Sequence, residues 1–331
     1  MGSSTIAQTT ASPEFLTVFR AHADRDERMT FAKFMELALY HADVGYYRRN
    51  QPRIGYAPGT DFFTASTSGP IFGELVAAAC TNLLRAAGRD PGGHVFVEIG
   101  AEDGRAGVLT GVTHPFSAVK ILRLGEPLLL SGDCIVMSNE LFDAQPCARS
   151  VFRRGKWLEI GVEIRDGTLA EIEFESALPC APGVAVEGYH FDQPYAATVL
   201  AETIVSQPWR GLFVAFDYGK TFRELSEETP GGTVRAYFRH RQTNELLARP
   251  GEQDLTCHVC WDWIGDALRR HGFSEPNLNF QEAFFMRNAG DFIASVSAAE
   301  AARFSPRKLS LSQLLHPAHL GQKFQVMHAL R

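Results

Sequence analysis

The sequence predicts a doubly wound α/β fold, and three features predict it. Short apolar runs end in glycine or in a polar or acidic residue, and stretches of helical periodicity alternate with them. The composition, 45% hydrophobic against 21% charged, is that of an ordinary globular chain with ample core. Its 331 residues leave room for one large α/β domain with insertions or for two modest domains. In such sheets ligands bind in the crevice beyond the carboxyl ends of the strands. The residues that follow the apolar runs are therefore the first candidates for a site.

Composition excludes several classes. The formal net charge of -6 argues against a nucleic-acid partner, because phosphate binding needs a concentrated basic surface. No run of 18 apolar residues occurs, so no membrane span is expected. Residues 1–13 are small and polar and read as a disordered leader. They lack the basic-then-apolar order of a secretory signal and the arginines of a transit peptide. Six scattered cysteines suggest free thiols, and with them a cytoplasmic location.

Taken in order, Glu14–Ala23 and Thr30–Tyr40 have helical spacing. Phe31, Phe34, Met35, Ala38 and Leu39 share a stripe, with Thr30 as N-cap. Residues 55–69 are rich in Gly, Pro, Ser and Thr and read as a loop, after which Ile71–Ala87 resumes the helical period. Buried strands are expected at His94–Ile99, running into Gly100; at Ala118–Leu124, ending at Gly125-Glu126; and at Cys134–Met137, followed by Ser138-Asn139-Glu140. Val151–Ile164 and Thr168–Phe174 read as a hairpin around Arg165-Asp166-Gly167. Tyr195–Val205 reads as a helix and Gly211–Phe216 as another buried strand, ending at Asp217-Tyr218-Gly219. Residues 220–260 form a long Gly/Pro-punctuated stretch, Trp261–His271 a helix closed by Gly272, and the rest a segment at Pro276–Met286 with a helical tail.

Several segments together resemble the MidA family of S-adenosylmethionine (SAM)-dependent methyltransferases, which includes a mitochondrial complex I assembly factor that methylates an arginine. They are Phe31–Tyr40 with Gly45-Tyr46-Tyr47; Asp61-Phe62-Phe63-Thr64 with Phe72-Gly73-Glu74; Val97-Glu98-Ile99-Gly100; Ser138–Pro146; and Asp217-Tyr218-Gly219. Gly232–Tyr237 and Pro250–Thr256 with His258-Val259 extend the likeness, so that it spans about residues 14 to 290. The resemblance implies a Rossmann-like class I methyltransferase sheet, SAM as cofactor, and methyl transfer to a protein side chain or a bulky small molecule. It implies an N-terminal helical segment with a cofactor-covering loop over residues 14–92. The α/β domain would then occupy 93–331, with insertions at about 147–195 and 220–260.

Residue chemistry sharpens that picture. Methyl transfer from a sulfonium is an in-line displacement, in which the protein positions and desolvates, and alignment alone contributes roughly 7–11 kcal/mol. A glycine turn after the first strand lets main chain approach the cofactor, so Gly100 and Gly104, with Glu98 before them, are candidate cofactor residues. Glu126, at the end of the second strand, is a candidate for ribose hydroxyls, with a solvated turn glutamate as the alternative. Asn139, Glu140 and Asp143 are the candidate catalytic residues, because carboxylates can grip a guanidinium bidentately and accept its proton. If a helix starts there, Glu140 and Asp143 share a face, and Asn139 or Glu140 could instead merely cap it. By the family resemblance, the loop containing Asp61, Phe62, Thr64 and Ser66 covers the cofactor. Asp217, Tyr218, Arg235, Tyr237, His240 and His258 are candidates for the substrate side. Cys257-x-x-Cys260 lacks a second paired motif, so no metal is expected.

Three departures from the family pattern stand out. The glycine turn reads Gly100-Ala101-Glu102-Asp103-Gly104, with two acids where another glycine is usual. Thr67 replaces the acid expected after Thr64. Only 38 residues separate Gly100 from Asn139, against about 40–46 for three crossovers and two strands, so the sheet should be abridged in its first half. Two functions follow as expectations: a SAM-dependent methyltransferase, or a catalytically inert relative serving as an assembly or protein-binding factor. Both imply a protein partner.

Overall fold

The computed structural model describes residues 11–49, 69–101, 106–175, 180, 182–183, 186–301 and 305–331. Along the chain come α1 (Pro13–His22), β1 (Arg28–Thr30), α2 (Phe31–Tyr40), α3 (Pro70–Ala86), β2 (Val95–Ala101), β3 (Ala118–Arg123) and β4 (Gly132–Asn139). Then follow β5 (Ala148–Arg153), β6 (Lys156–Arg165), β7 (Thr168–Phe174), β8 (His190–Gln193), α4 (Tyr195–Val205), β9 (Trp209–Asp217), β10 (Gly219–Lys220) and α5 (Phe222–Glu227). The remainder is β11 (Arg235–Phe238), β12 (Arg241–Thr243), β13 (Asp254–Thr256), β14 (Val259–Cys260), α6 (Trp261–Arg270), β15 (Asn277–Phe280), α7 (Gln281–Asn288), α8 (Gly290–Ala299), α9 (Pro306–Leu315) and β16 (Gln325–Leu330). Two compact units result. One comprises Met1–Phe62, Ala144–Ala197 and Lys220–Cys260; the other comprises Phe63–Asp143, Thr198–Gly219 and Trp261–Arg331.

The second unit carries a six-stranded sheet in the order β15-β16-β9-β4-β2-β3. β3, β2, β4 and β9 run parallel, and β16 enters antiparallel between β9 and β15. β2, β4 and β9 are apolar on both faces because helices cover both, whereas β3, expected from the sequence to be buried, is an edge strand exposed over its first half, with Val119 at 39%. On one face Phe96, Ile135, Met137, Leu212, Val214, Phe216 and Val326 pack with residues of α3, α7, α8 and α9. On the other, α6 packs on β16, and the Trp209 indole donates to the carbonyl of Ile204 in α4. Burying a side chain such as Phe216, fully enclosed here, stabilises the fold by about 1.5–3 kcal/mol.

The expected abridgement is present. Among the described residues no helix lies between β2 and β3 or between β3 and β4, and the second of these connections is only residues 124–131. Among the described residues the sheet ends at β3, which pairs with β2. Two sequence expectations need correction. The run Val151–Ile164 is not one strand: Arg154 and Gly155, both left-handed (φ 50° and 79°), turn it into the β5–β6 hairpin. The tail after Met286 is not wholly helical, because Gln325–Leu330 forms the interior strand β16.

The first unit is built on an antiparallel sheet, β1-β6-β5-β8 with β7 on β6, and a smaller sheet β12-β11-β13. α1 begins on Ser12, whose side chain accepts from the Phe15 N–H. α2 begins on Thr30, which accepts from the Lys33 N–H as its sequence position suggests. Phe15, Phe19, Phe31, Phe34 and Leu37 then enter a core with Val162, Val234 and Leu255. The stretch 220–260 supplies α5 and four short strands, and α5 opens with a capping box between Thr221 and Glu224.

Candidate functional site

The parallel strands of the six-stranded sheet place Gly100, Asn139 and Asp217 at neighbouring carboxyl ends. Ile99 pairs with Ser138, and Asn139 pairs with Phe216. Gly100 has φ 86°, and a Cβ there would lie 2.7 Å from Leu141 Cδ1, so it is glycine that lets Leu141 pack on this strand end. Gly104 and Glu102 lie outside the described residues.

Glu98 does not face outward. Its Oε2 accepts from the Val108 N–H at 2.7 Å and fastens the returning chain to the sheet. Burial pushes its carboxyl up, while the Val108 N–H and Arg123 pull it down. Gly107 makes this possible: a Cβ there would stand 2.4 Å from Ile121 Cδ1 and 2.7 Å from Glu98 Oε2. Gly107 is a residue the sequence reading missed, because nothing in its spacing reveals the close approach.

The segment after β4 corrects another expectation. No helix begins at Glu140; the chain turns instead. Glu140 is left-handed (φ 53°), its N–H donates to the Phe216 carbonyl, and its Oε1 accepts from Asn139 Nδ2 at 2.9 Å. Asn139 Oδ1 and Ser138 Oγ are buried without a hydrogen-bond partner. Asp143 is buried at 3% exposure.

Asp217 is fully buried and serves the turn. Its Oδ2 accepts from the Leu141 N–H at 3.2 Å and the Phe142 N–H at 2.8 Å, and its Oδ1 from the Tyr218 N–H at 2.8 Å. The Asp143 N–H adds a further donor. Burial outweighs these donors and pushes the carboxyl up to about 7. With no exposed surface, it holds main chain and does not line a substrate surface. Tyr218 packs at a tilt on Phe324, with ring centroids 4.2 Å apart.

Other candidates fall elsewhere. Glu126 is exposed and closes its own turn, accepting from the Arg123 N–H at 2.8 Å, which is the turn role weighed from the sequence. Arg235, Tyr237, His240 and His258 belong to the first unit. Arg235 donates to the carbonyls of Val234 and Gly232, and Tyr237 to Gln242 Oε1. His240 sits in the β11–β12 turn with φ 62°. His258 has a buried Nδ1 without a hydrogen-bond partner; burial, then Lys220 and Arg235, lower it to about 4. Asp61, Phe62, Thr64 and Ser66 lie outside the described residues. No group of three or more potential metal ligands gathers among the described residues. A cleft of about 480 Å³ opens at the opposite ends of the strands, lined by Arg89, Asp90, Gly93, His94, Asp133 and Arg210. Its charged groups are already engaged, Arg210 with Asp133 and Arg89 with the Arg331 carbonyl.

Comparison with known proteins bears on this geometry. A family model described as "Putative S-adenosyl-L-methionine-dependent methyltransferase" matches residues 122–277, a little under half the chain. A Burkholderia thailandensis protein described as a "likely methyl transferase", bound to S-adenosyl-homocysteine, superposes with a TM-score of 0.82 at 23% identity. The match covers 100% of this chain and 94% of that one. An uncharacterized protein from the same organism, in a native crystal structure, matches with a TM-score of 0.78 at 23% identity over the same shares. No curated protein matches the sequence. This chain therefore shares its mixed α/β fold with a protein solved in complex with S-adenosyl-homocysteine. Among the described residues no helix is long and apolar enough to cross a membrane.

Proposed function

We propose that this chain is a SAM-dependent methyltransferase of MidA type that methylates a protein side chain, an arginine foremost. One observation carries the reading. The Glu140 carboxylate, braced by Asn139 Nδ2, stands at the carboxyl end of β4, next to the end of the adjacent parallel strand β2. The family model over residues 122–277 and the fold shared with an S-adenosyl-homocysteine complex support it.

The residues present fit such a cofactor. Asn139 Oδ1 is a buried acceptor awaiting a donor, and SAM offers ammonium, hydroxyl and amino donors. When bound, the sulfonium supplies the methyl group. Glu140 grips the guanidinium of the acceptor and takes its proton as the new bond forms. Asn139 fixes the Glu140 rotamer.

The partner in this reading is the substrate protein, and the setting is cytoplasmic. A second reading, an inert assembly factor, is favoured by the lack of any helix on either side of β3 among the described residues. Calorimetric titration with S-adenosyl-homocysteine separates the two. A methyltransferase gives a binding heat and a raised melting temperature. Silence at millimolar ligand removes the enzyme reading. Glu140→Gln should leave melting unchanged and lower labelled-methyl transfer into extract protein by about 100-fold or more.

A further inference from the structure

The segment after β4 has a geometry that proteins use to hold anions. A left-handed residue, Glu140, is followed by successive main-chain N–H groups of Leu141, Phe142 and Asp143 that converge on one point. Such a run of amides forms a concavity of positive partial charge, a nest. The nest is filled by the chain's own Asp217, carried on the neighbouring strand β9, and the Tyr218 N–H closes it from behind. The rim of this nest matters: Glu140 opens it, and Leu141 within it rests against Gly100.

We propose that Asp217 is the positioning residue of this site, filling the nest so that Glu140 and Leu141 are held in fixed places at the strand ends, Leu141 against Gly100. The inference rests on the methyltransferase reading above, because that reading puts the methyl acceptor at Glu140 and the cofactor beside Asn139 and Gly100. Asp217 touches neither cofactor nor substrate in this role. It acts only through the main chain of 140–143.

The 331-residue chain tests it with two measurements. Wild type and Asp217→Asn are titrated with S-adenosyl-homocysteine well below their melting temperatures, and amide hydrogen exchange is followed at Leu141, Phe142 and, as control, Val136 in β4. Asn keeps the shape but turns an amide donor toward a cluster of donors. The expected result is a folded variant that binds at least about tenfold more weakly, with faster exchange at Leu141 and Phe142 and unchanged exchange at Val136. A variant that binds and exchanges like wild type overturns the inference while leaving the methyltransferase reading intact. A wild type that does not bind overturns the methyltransferase reading, and the inference falls with it. Should Asp217→Asn unfold, Leu141→Ala takes its place. Unchanged affinity there also overturns the inference, since the side chain that the nest holds in place would then be irrelevant.

Discussion

Gly107 is enclosed on two sides, by the Ile121 side chain and the Glu98 carboxylate. A branched side chain there must displace both and release the Val108 N–H from its acceptor. Gly107→Val should therefore destabilise the protein by about 1–3 kcal/mol, read as a lowered urea midpoint with unchanged slope. The same residue shows where reading from sequence stops. Gly100 was legible because it follows a buried strand, and Glu140 because a polar pair ends another. The parts played by Gly107 and Asp217 depend on which strands lie side by side. Asp217 meets Leu141 across 76 residues of chain, and no local pattern encodes that separation.

At the scale of elements, the first unit ties β5, β7 and β8 together with charge. Arg149, 6% exposed, pairs with Asp192 of β8 and Glu171 of β7, and its guanidinium lies 4.9 Å over the Phe31 ring. Asp192, 2% exposed, also accepts from the N–H groups of Thr233 and Val234, so one carboxylate links β8 to the start of β11. Arg149→Met strands that carboxylate without its counter-charge. The expected cost is about 3–5 kcal/mol by equilibrium denaturation. Most elements were legible: the stripes of α2 and α3, the apolar runs of β2, β4 and β9, and the capped start of α2. The β5–β6 turn was hidden because Arg154-Gly155 is not one of the usual hairpin dipeptides. β16 was hidden because a six-residue strand after three helices carries no periodic signal of its own.

At the scale of the whole molecule, each unit holds a half-buried imidazole. His258 in the first unit and His328 in the second are both lowered to about 4, with burial as the leading cause. A histidine depressed in the folded state contributes stability above its unfolded value near 6.5 that is lost as pH falls through the folded value. Wild type should therefore lose stability relative to His328→Leu as pH drops from about 6.5 to about 4. Melting temperatures of the two proteins across that window check it. Asp217 has the opposite sign. Its raised carboxyl favours the fold below the ordinary value of 3.8, and that contribution disappears as pH rises through about 7. The abridged sheet was legible at this scale too, because counting residues between two strand ends needs no knowledge of their neighbours.

The placement of β16 has a consequence for how the protein comes into being. β9 is made more than a hundred residues before the strand that flanks it, with Leu212 pairing to Leu330. Throughout that interval on the ribosome, one border of β9 has nothing to bond with, and β15 has no route into the sheet. The six-stranded sheet cannot close before residue 330 is made, so its closure is a long-range strand insertion, slow by its loop-closure entropy and open to capture by chaperones.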